Sequence, residues 1–202
     1  MFALVEDGKI TQMPRGNKGI KIGDNQYPAS LFTSSYSEAE RNAVGIYTVE
    51  MDETNLKDQQ WYINTNITYT FGSGKVTGSY GTATAKAHAD TKWTQKEIDD
   101  GEAPEGADTN TVKVEGLKTI LIRQVKQQAE GILNETDWYI TRNAEKSTAI
   151  PSAITTHRDA VRTKQASMET AITNAADTPA LETLYKRNES GVRPLGDFPN
   201  LE

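Results

Sequence analysis

The spacing of apolar residues changes once along this chain, and that change most limits what it can fold into. Up to about residue 80 apolar and polar side chains alternate, the two-residue period of half-buried strands. Ile67, Tyr69 and Phe71 stand against Thr68 and Thr70, and Tyr47, Val49 and Met51 alternate with Ile46, Thr48 and Glu50. From Leu117 onward the period is helical: Leu117, Ile120, Leu121, Val125, Ala129, Ile132 and Leu133 fall three and four apart, on one face. The expected class is therefore α+β. A small antiparallel β-rich N-terminal domain (1–95) precedes an acidic linker (96–112), a C-terminal helical hairpin or bundle (113–188) and an extended tail (189–202).

Local signals sharpen the β-rich half. Asp7-Gly8 between Phe2–Val5 and Ile10–Met13 predicts a tight hairpin. Ser37 with Glu40 three residues on predicts a capping box for a short helix, 38–43, that Gly45 stops before the strand 46–51. Strands 64–71 and 75–80 are joined by Gly72-Ser73-Gly74. Thr82 to Trp93 is rich in Ala and Thr and suits either an extended segment or a helix start. Glu97 to Asp108 holds six acidic residues with Gly101, Pro104 and Gly106, and reads as a mobile, solvated linker.

In the helical half, Asn134 to Asp137 interrupts the first pattern, and Thr136 or Asp137 is placed to cap a short helix around Trp138–Ala144. Pro151 suits the first turn of a third helix reaching Ala175, in which Ile154, Val161, Met168 and Ala175 recur every seven residues. That seam fits an intramolecular bundle or an oligomer. Asp177-Thr178-Pro179 predicts a capped last helix, 180–186. In the tail, Leu195, Phe198 and Leu201 can pack back on the body.

Composition narrows function by exclusion. Hydrophobic residues are 36% of the chain, below the globular norm of about 45–50%, so the core is modest or divided. A net charge of −6 argues against nucleic acid as a partner. The absence of cysteine removes disulfides, thiolate metal sites and cysteine nucleophiles. The N-terminus lacks the basic and long apolar regions of a signal peptide, and no stretch approaches the roughly 18 apolar residues of a membrane span. A soluble protein made in a cytoplasm is expected, and the sequons at Asn66, Asn134 and Asn188 are read as chance.

No catalytic frame emerges. His157 falls at an inward position between Ile154 and Val161, and His88 has no nucleophile motif near it. Asp52, Glu53, Asn55 and Asp58 lack the glycine and terminal glutamate of a calcium loop. Gly72 to Gly78 superficially resembles a phosphate loop, yet β alternation runs on both sides of it, so a hairpin is the reading. Tyr62, Tyr69, Phe71 and Tyr80 suit a sheet core or a platform for sugars or bases. No catalytic residue, metal or cofactor is expected.

What remains distinctive is a constellation: the helix ending Ile132-Leu133, then Thr136-Asp137-Trp138-Tyr139 with Arg142, then Ile150-Pro151, then Arg158 and Arg162 four apart. In that order it resembles the C-terminal module of bacteriophage tail-fibre assembly and tail-assembly-chaperone-like proteins. The opening Phe2–Gly8 hairpin, and Ser37–Arg41 leading to Val44–Val49, are also similar to small proteins of marine phages encoded near tail-fibre genes. The resemblance covers most of the chain except the acidic stretch. It implies a non-enzymatic protein that binds phage tail or tail-fibre proteins in the host cytoplasm during assembly, with homo-oligomers possible in principle. The alternatives are a stable structural subunit of the virion tail and, further off, a receptor- or glycan-binding module.

The same residues have a physical reading of their own. Trp138 and Tyr139, just past a helix cap, are expected to wedge between flanking helices, burial worth about 2–3 kcal/mol. Asp137 can reach Arg142 or an arginine of the next helix, and Arg158 and Arg162 are expected to share a face. These contacts serve either to tie helices together or to meet a partner.

Overall fold

The computed structural model describes residues 1–201, and the chain is a mixed α+β protein, β-rich at its N-terminal end and helical toward its C-terminus. It divides into two compact units, Met1–Thr84 and Ala85–Glu202, so the boundary falls ahead of the one the composition suggests near residue 95.

The first unit contains β1 (Phe2–Glu6), β2 (Lys9–Gln12), β3 (Ile20–Ile22), β4 (Asn25–Tyr27), a 3₁₀ turn (Ala29–Phe32), α1 (Glu38–Ala43), β5 (Ile46–Asp52), β6 (Tyr62–Ile63), β7 (Ile67–Gly72) and β8 (Lys75–Tyr80). β9 (Thr84–Ala85) spans its end. Two hairpins form where expected. Asp7 and Gly8, like Ser73 and Gly74, both take positive φ, the backbone of a two-residue turn whose twist matches its strands. The Ser37–Glu40 capping box is complete in both directions.

The sheet is not purely antiparallel. Its order is β2-β1-β5-β8-β7, and β5 pairs with β8 in parallel, Val49 opposite Val76. The β7–β8 hairpin therefore sets its second strand inside and its first on the edge. Val76, fully buried, suits the inner position. Gly78 does too, because a Cβ there would lie 2.9 Å from Met51 Sδ and 3.0 Å from the Tyr69 ring. β5 alternates cleanly between two apolar clusters. Ile46 joins Leu4, Ile20, Leu31 and Phe32 on one face. Val49 joins Ala3 and Val76 on the other, with Tyr47, Tyr69 and Phe71 packed around them. Tyr69 and Phe71 are thus partly buried residues packed on the second cluster of the sheet.

The second unit contains β10 (Thr91–Lys92), α2 (Gln95–Asp99), β11 (Val112–Val114), α3 (Leu117–Asn134), α4 (Asp137–Lys146), α5 (Ser152–Asn174) and α6 (Thr178–Tyr185). The acidic stretch lies inside this unit, between β10 and β11, which pair antiparallel across it. Four of its six carboxylates, those of Glu97, Asp99, Asp100 and Asp108, are engaged locally, which is why it holds a shape. Glu97 closes a capping box with Thr94 and pairs with Lys113 at 2.5 Å. Asp108 accepts from the amides of Asn110 and Thr111.

The segment just ahead of it straps two helix starts. The Leu117 and Lys118 amides at the beginning of α3 donate to the carbonyls of Ala87 and His88, both at 3.0 Å. Asp90 accepts from the Gly116 amide at 2.7 Å and from the Thr119 hydroxyl at 2.7 Å. At the start of α6, the buried Thr178 hydroxyl donates to the Lys86 carbonyl at 2.6 Å. The bonds from Leu117 and Lys118 satisfy backbone amides that a helix start leaves without partners.

α3 packs on α5. α3 buries Leu117, Leu121, Val125 and Ala129, one residue per turn, and α5 buries Ile154, His157, Arg158, Val161, Met168 and Ile172. Asp177 caps α6 through the Ala180 amide, as expected. The tail returns along α5: Leu195 is buried and its carbonyl accepts from Lys164 at 2.8 Å, whereas Leu201 stays exposed. Among the described residues no helix is long and apolar enough to cross a membrane.

Candidate functional site

α3 ends at Asn134 and the chain turns at once into α4, an elbow held from outside by one arginine. Arg158 of α5 is only 8% exposed. Its Nη1 donates to the Leu133 carbonyl at 2.7 Å and the Thr136 hydroxyl at 2.7 Å, and lies 2.8 Å from Asp137 Oδ1. A buried guanidinium is tolerated because every one of these acceptors is polar and one is charged.

This network assigns different work to residues expected to act as caps. Thr136 occupies the N-cap position of α4, but its side chain makes no capping bond. Its hydroxyl donates back to the Leu133 carbonyl at 3.0 Å and accepts from Arg158, so it belongs to the end of α3. Asp137 is the first residue of α4 and pairs with Arg158 rather than with Arg142. Arg158 and Arg162 do not share a role either. One helical turn and about 40° further round α5, Arg162 is half exposed, pairs with Asp159 at 3.3 Å and lines an open groove. Pro151 stands just before α5 rather than inside it, and its carbonyl accepts from the Ile154 and Thr155 amides.

Trp138 does not wedge between helices: it is 52% exposed, and α4 as a whole buries no residue. The Trp138 and Tyr139 rings lie together, centroids 3.7 Å apart and tilted by 32°. Arg142 covers this pair, its guanidinium carbon 4.7 Å from the Trp138 centroid and 5.3 Å from that of Tyr139. Ile140 is also exposed. The far end of α4 is fixed by Ser147 in a left-handed conformation and by Asn143, whose side-chain amide donates to the Thr148 carbonyl at 2.9 Å. Leu133 and Asn143 thus belong to the site. Leu133 contributes through its backbone carbonyl, which no side-chain pattern could mark.

The other candidates resolve into turns and core. Asp52 accepts from the Thr54 amide and hydroxyl, which hold its carboxyl below the usual range. Asn55 donates to the Tyr80 carbonyl, and Asp58 accepts from the Gln60 amide. His157 is buried within α5. Among the described residues no three His, Asp or Glu side chains are grouped to hold a metal ion.

Compared with known proteins, the chain matches no family model, no curated protein and no solved structure.

Proposed function

We propose that this chain is a non-enzymatic bacteriophage protein of the tail-fibre assembly type, which binds tail or tail-fibre proteins through α4. The observation that carries the binding role is that α4 buries no residue, although it presents Trp138 and Ile140 to solvent. A surface helix ordinarily covers its apolar side chains with its own fold. Trp, Tyr and Arg, the residue types grouped here, are those that dominate binding energy at protein interfaces. The Arg158 network holds this helix in place at its start, so little ordering remains to be done on binding. In this reading the helical hairpin of α3 and α5 is the scaffold that presents α4. The assignment to phage tails rests on the Thr136–Arg142, Ile150-Pro151 and Arg158–Arg162 constellation.

The test is affinity capture from phage-infected cells with the tagged full chain and its Trp138→Ala variant. Tail or tail-fibre proteins recovered by the wild type and lost with the variant are expected. Capture without tail proteins, or capture indifferent to Trp138, would overturn the reading. Mass spectrometry of purified particles then separates a transient assembly factor from a virion subunit, the latter being present in near-stoichiometric copies.

A further inference from the structure

We infer that the exposed face of α4 takes an acidic peptide segment, a carboxylate meeting Arg142 while a neighbouring apolar side chain covers Trp138. The inference rests on α4 being a protein-binding surface and adds the chemistry of what binds there.

It starts from an unpaired charge. Arg142 is half-buried, and among the described residues no carboxylate lies within ion-pair reach of it. Asp137, five residues earlier, is the acid a local reading would give it, but Arg158 holds that carboxylate at 2.8 Å. Arg142 Nε is buried without a hydrogen-bond partner, and the contacts of the guanidinium are the faces of Trp138 and Tyr139. The contrast with the other arginines is plain. Arg123 has Glu115, Arg187 and Arg193 share Asp197, Arg162 has Asp159, and Arg41 donates to the carbonyls of Thr33 and Tyr36. Arg15, which has no such partner, is exposed on the surface. Arg41 also has a buried Nε without a partner, but its Nη1 reaches two carbonyls. Arg142 alone among them is partly desolvated with neither an ion pair nor a hydrogen bond, a state that disfavours the free surface and strengthens an incoming anion's attraction.

The surroundings decide which anion. Glu135, Asp137 and Glu145 are exposed on or beside α4, and the chain carries −6 overall. Arg142 and Lys146, four residues apart on α4, are two cations among these carboxylates and suit a carboxylate ligand; a phosphate backbone needs a larger cluster of Lys and Arg. The ring pair beside it supplies the apolar contact that a peptide side chain, Leu or Phe, would fill. A guanidinium stacked on rings also keeps its plane fixed, which favours the planar carboxylate over a more diffuse charge.

The experiment uses the full chain and an array of synthetic peptides in which Asp or Glu adjoins Leu or Phe, each matched to its Asn or Gln counterpart. Acidic peptides are expected to bind about tenfold tighter than their amide partners, the discrimination of one charge-assisted hydrogen-bonded contact. The preference should vanish in Arg142→Gln and survive in part in Arg142→Lys. Equal binding of acid and amide peptides to the wild type would overturn the inference, with no variant needed to see it. So would an undiminished preference in Arg142→Gln with unchanged helical circular dichroism, or tighter binding of an oligothymidylate probe. If acid preference fails while Trp138-dependent capture of tail proteins holds, only this inference falls. If acid preference holds and no tail protein is captured, only the phage reading falls.

Discussion

Arg158 Nη1 donates to the Leu133 carbonyl at 2.7 Å, so the C-terminal end of α3 is closed by a side chain from α5. The last carbonyls of a helix have no partner within it, and a cation there also opposes the negative end of the helix dipole. The same nitrogen reaches Thr136 and Asp137, so one residue sets where α3 stops and where α4 points.

Replacing Arg158 by Leu should therefore strand a buried carbonyl and hydroxyl and free Asp137. A loss of about 1–3 kcal/mol is expected, the usual cost of leaving buried hydrogen-bonding groups unsatisfied, because the freed Asp137 is half exposed and regains water. Arg162→Ala, at an exposed pair, should change stability by no more than about 0.5 kcal/mol. Urea unfolding of the two variants side by side checks this, and equal losses would mean that Arg158 does not hold the elbow.

Trp138→Ala should leave stability almost unchanged. The indole is half exposed, and what it gives up within the chain is mainly the stacking on Tyr139 and Arg142. An exposed cation–π contact contributes about 0.5–1 kcal/mol, well below the wedge value expected from sequence. Thermal melting is the measurement, and a large drop would show that the ring is covered in solution.

The strap of residues 86–90 makes the true start of the helical unit a testable matter. A fragment spanning 85–202 should unfold cooperatively. One spanning 113–202, the helical region that periodicity alone suggests, lacks the Ala87, His88 and Asp90 acceptors and should melt lower. Within the whole chain, Asp90→Ala should cost about 0.5–2 kcal/mol, as the loss of a helix-start acceptor does. Equal melting of the two fragments would remove the strap from the fold's essentials.

Acid should loosen the excursion between β10 and β11 first. Lys113 and the Thr94 amide and hydroxyl hold the Glu97 carboxyl down from 4.5 to about 2. A folded-state value below the unfolded one means the stabilisation is complete above the unfolded value and is lost as pH falls through the folded one. The window thus runs from 4.5 down to about 2. The Glu97 carboxyl resonance should titrate at its low end, with amide protection at Glu97 falling alongside. A midpoint in the ordinary carboxylate range would show that the Lys113 and Thr94 contacts do not form.

What was legible in the sequence was local. The Asp7-Gly8 turn, the Ser37–Glu40 box, the Asp177 cap and the switch from a two-residue to a helical period each involve residues a few positions apart. Their chemistry is fixed by the chain's own covalent spacing. The parallel β5–β8 pair was not legible, because a hairpin's sequence does not say which of its strands faces inward. Nor was the ordering of the acidic stretch, whose carboxylates read as solvated until Thr94, Lys113 and Asp108 close its loops.

The Thr136–Arg142 element divides along the same line. By itself the sequence determined that a short helix begins there with two aromatics, an acid and an arginine, since turn chemistry and helical spacing act over a few residues. Only the tertiary structure decided that Arg158, from the next long helix, takes the acid. That choice leaves Arg142 unpaired and the indole facing solvent. Periodicity marks a face as apolar or charged; whether anything covers it depends on how separate helices meet.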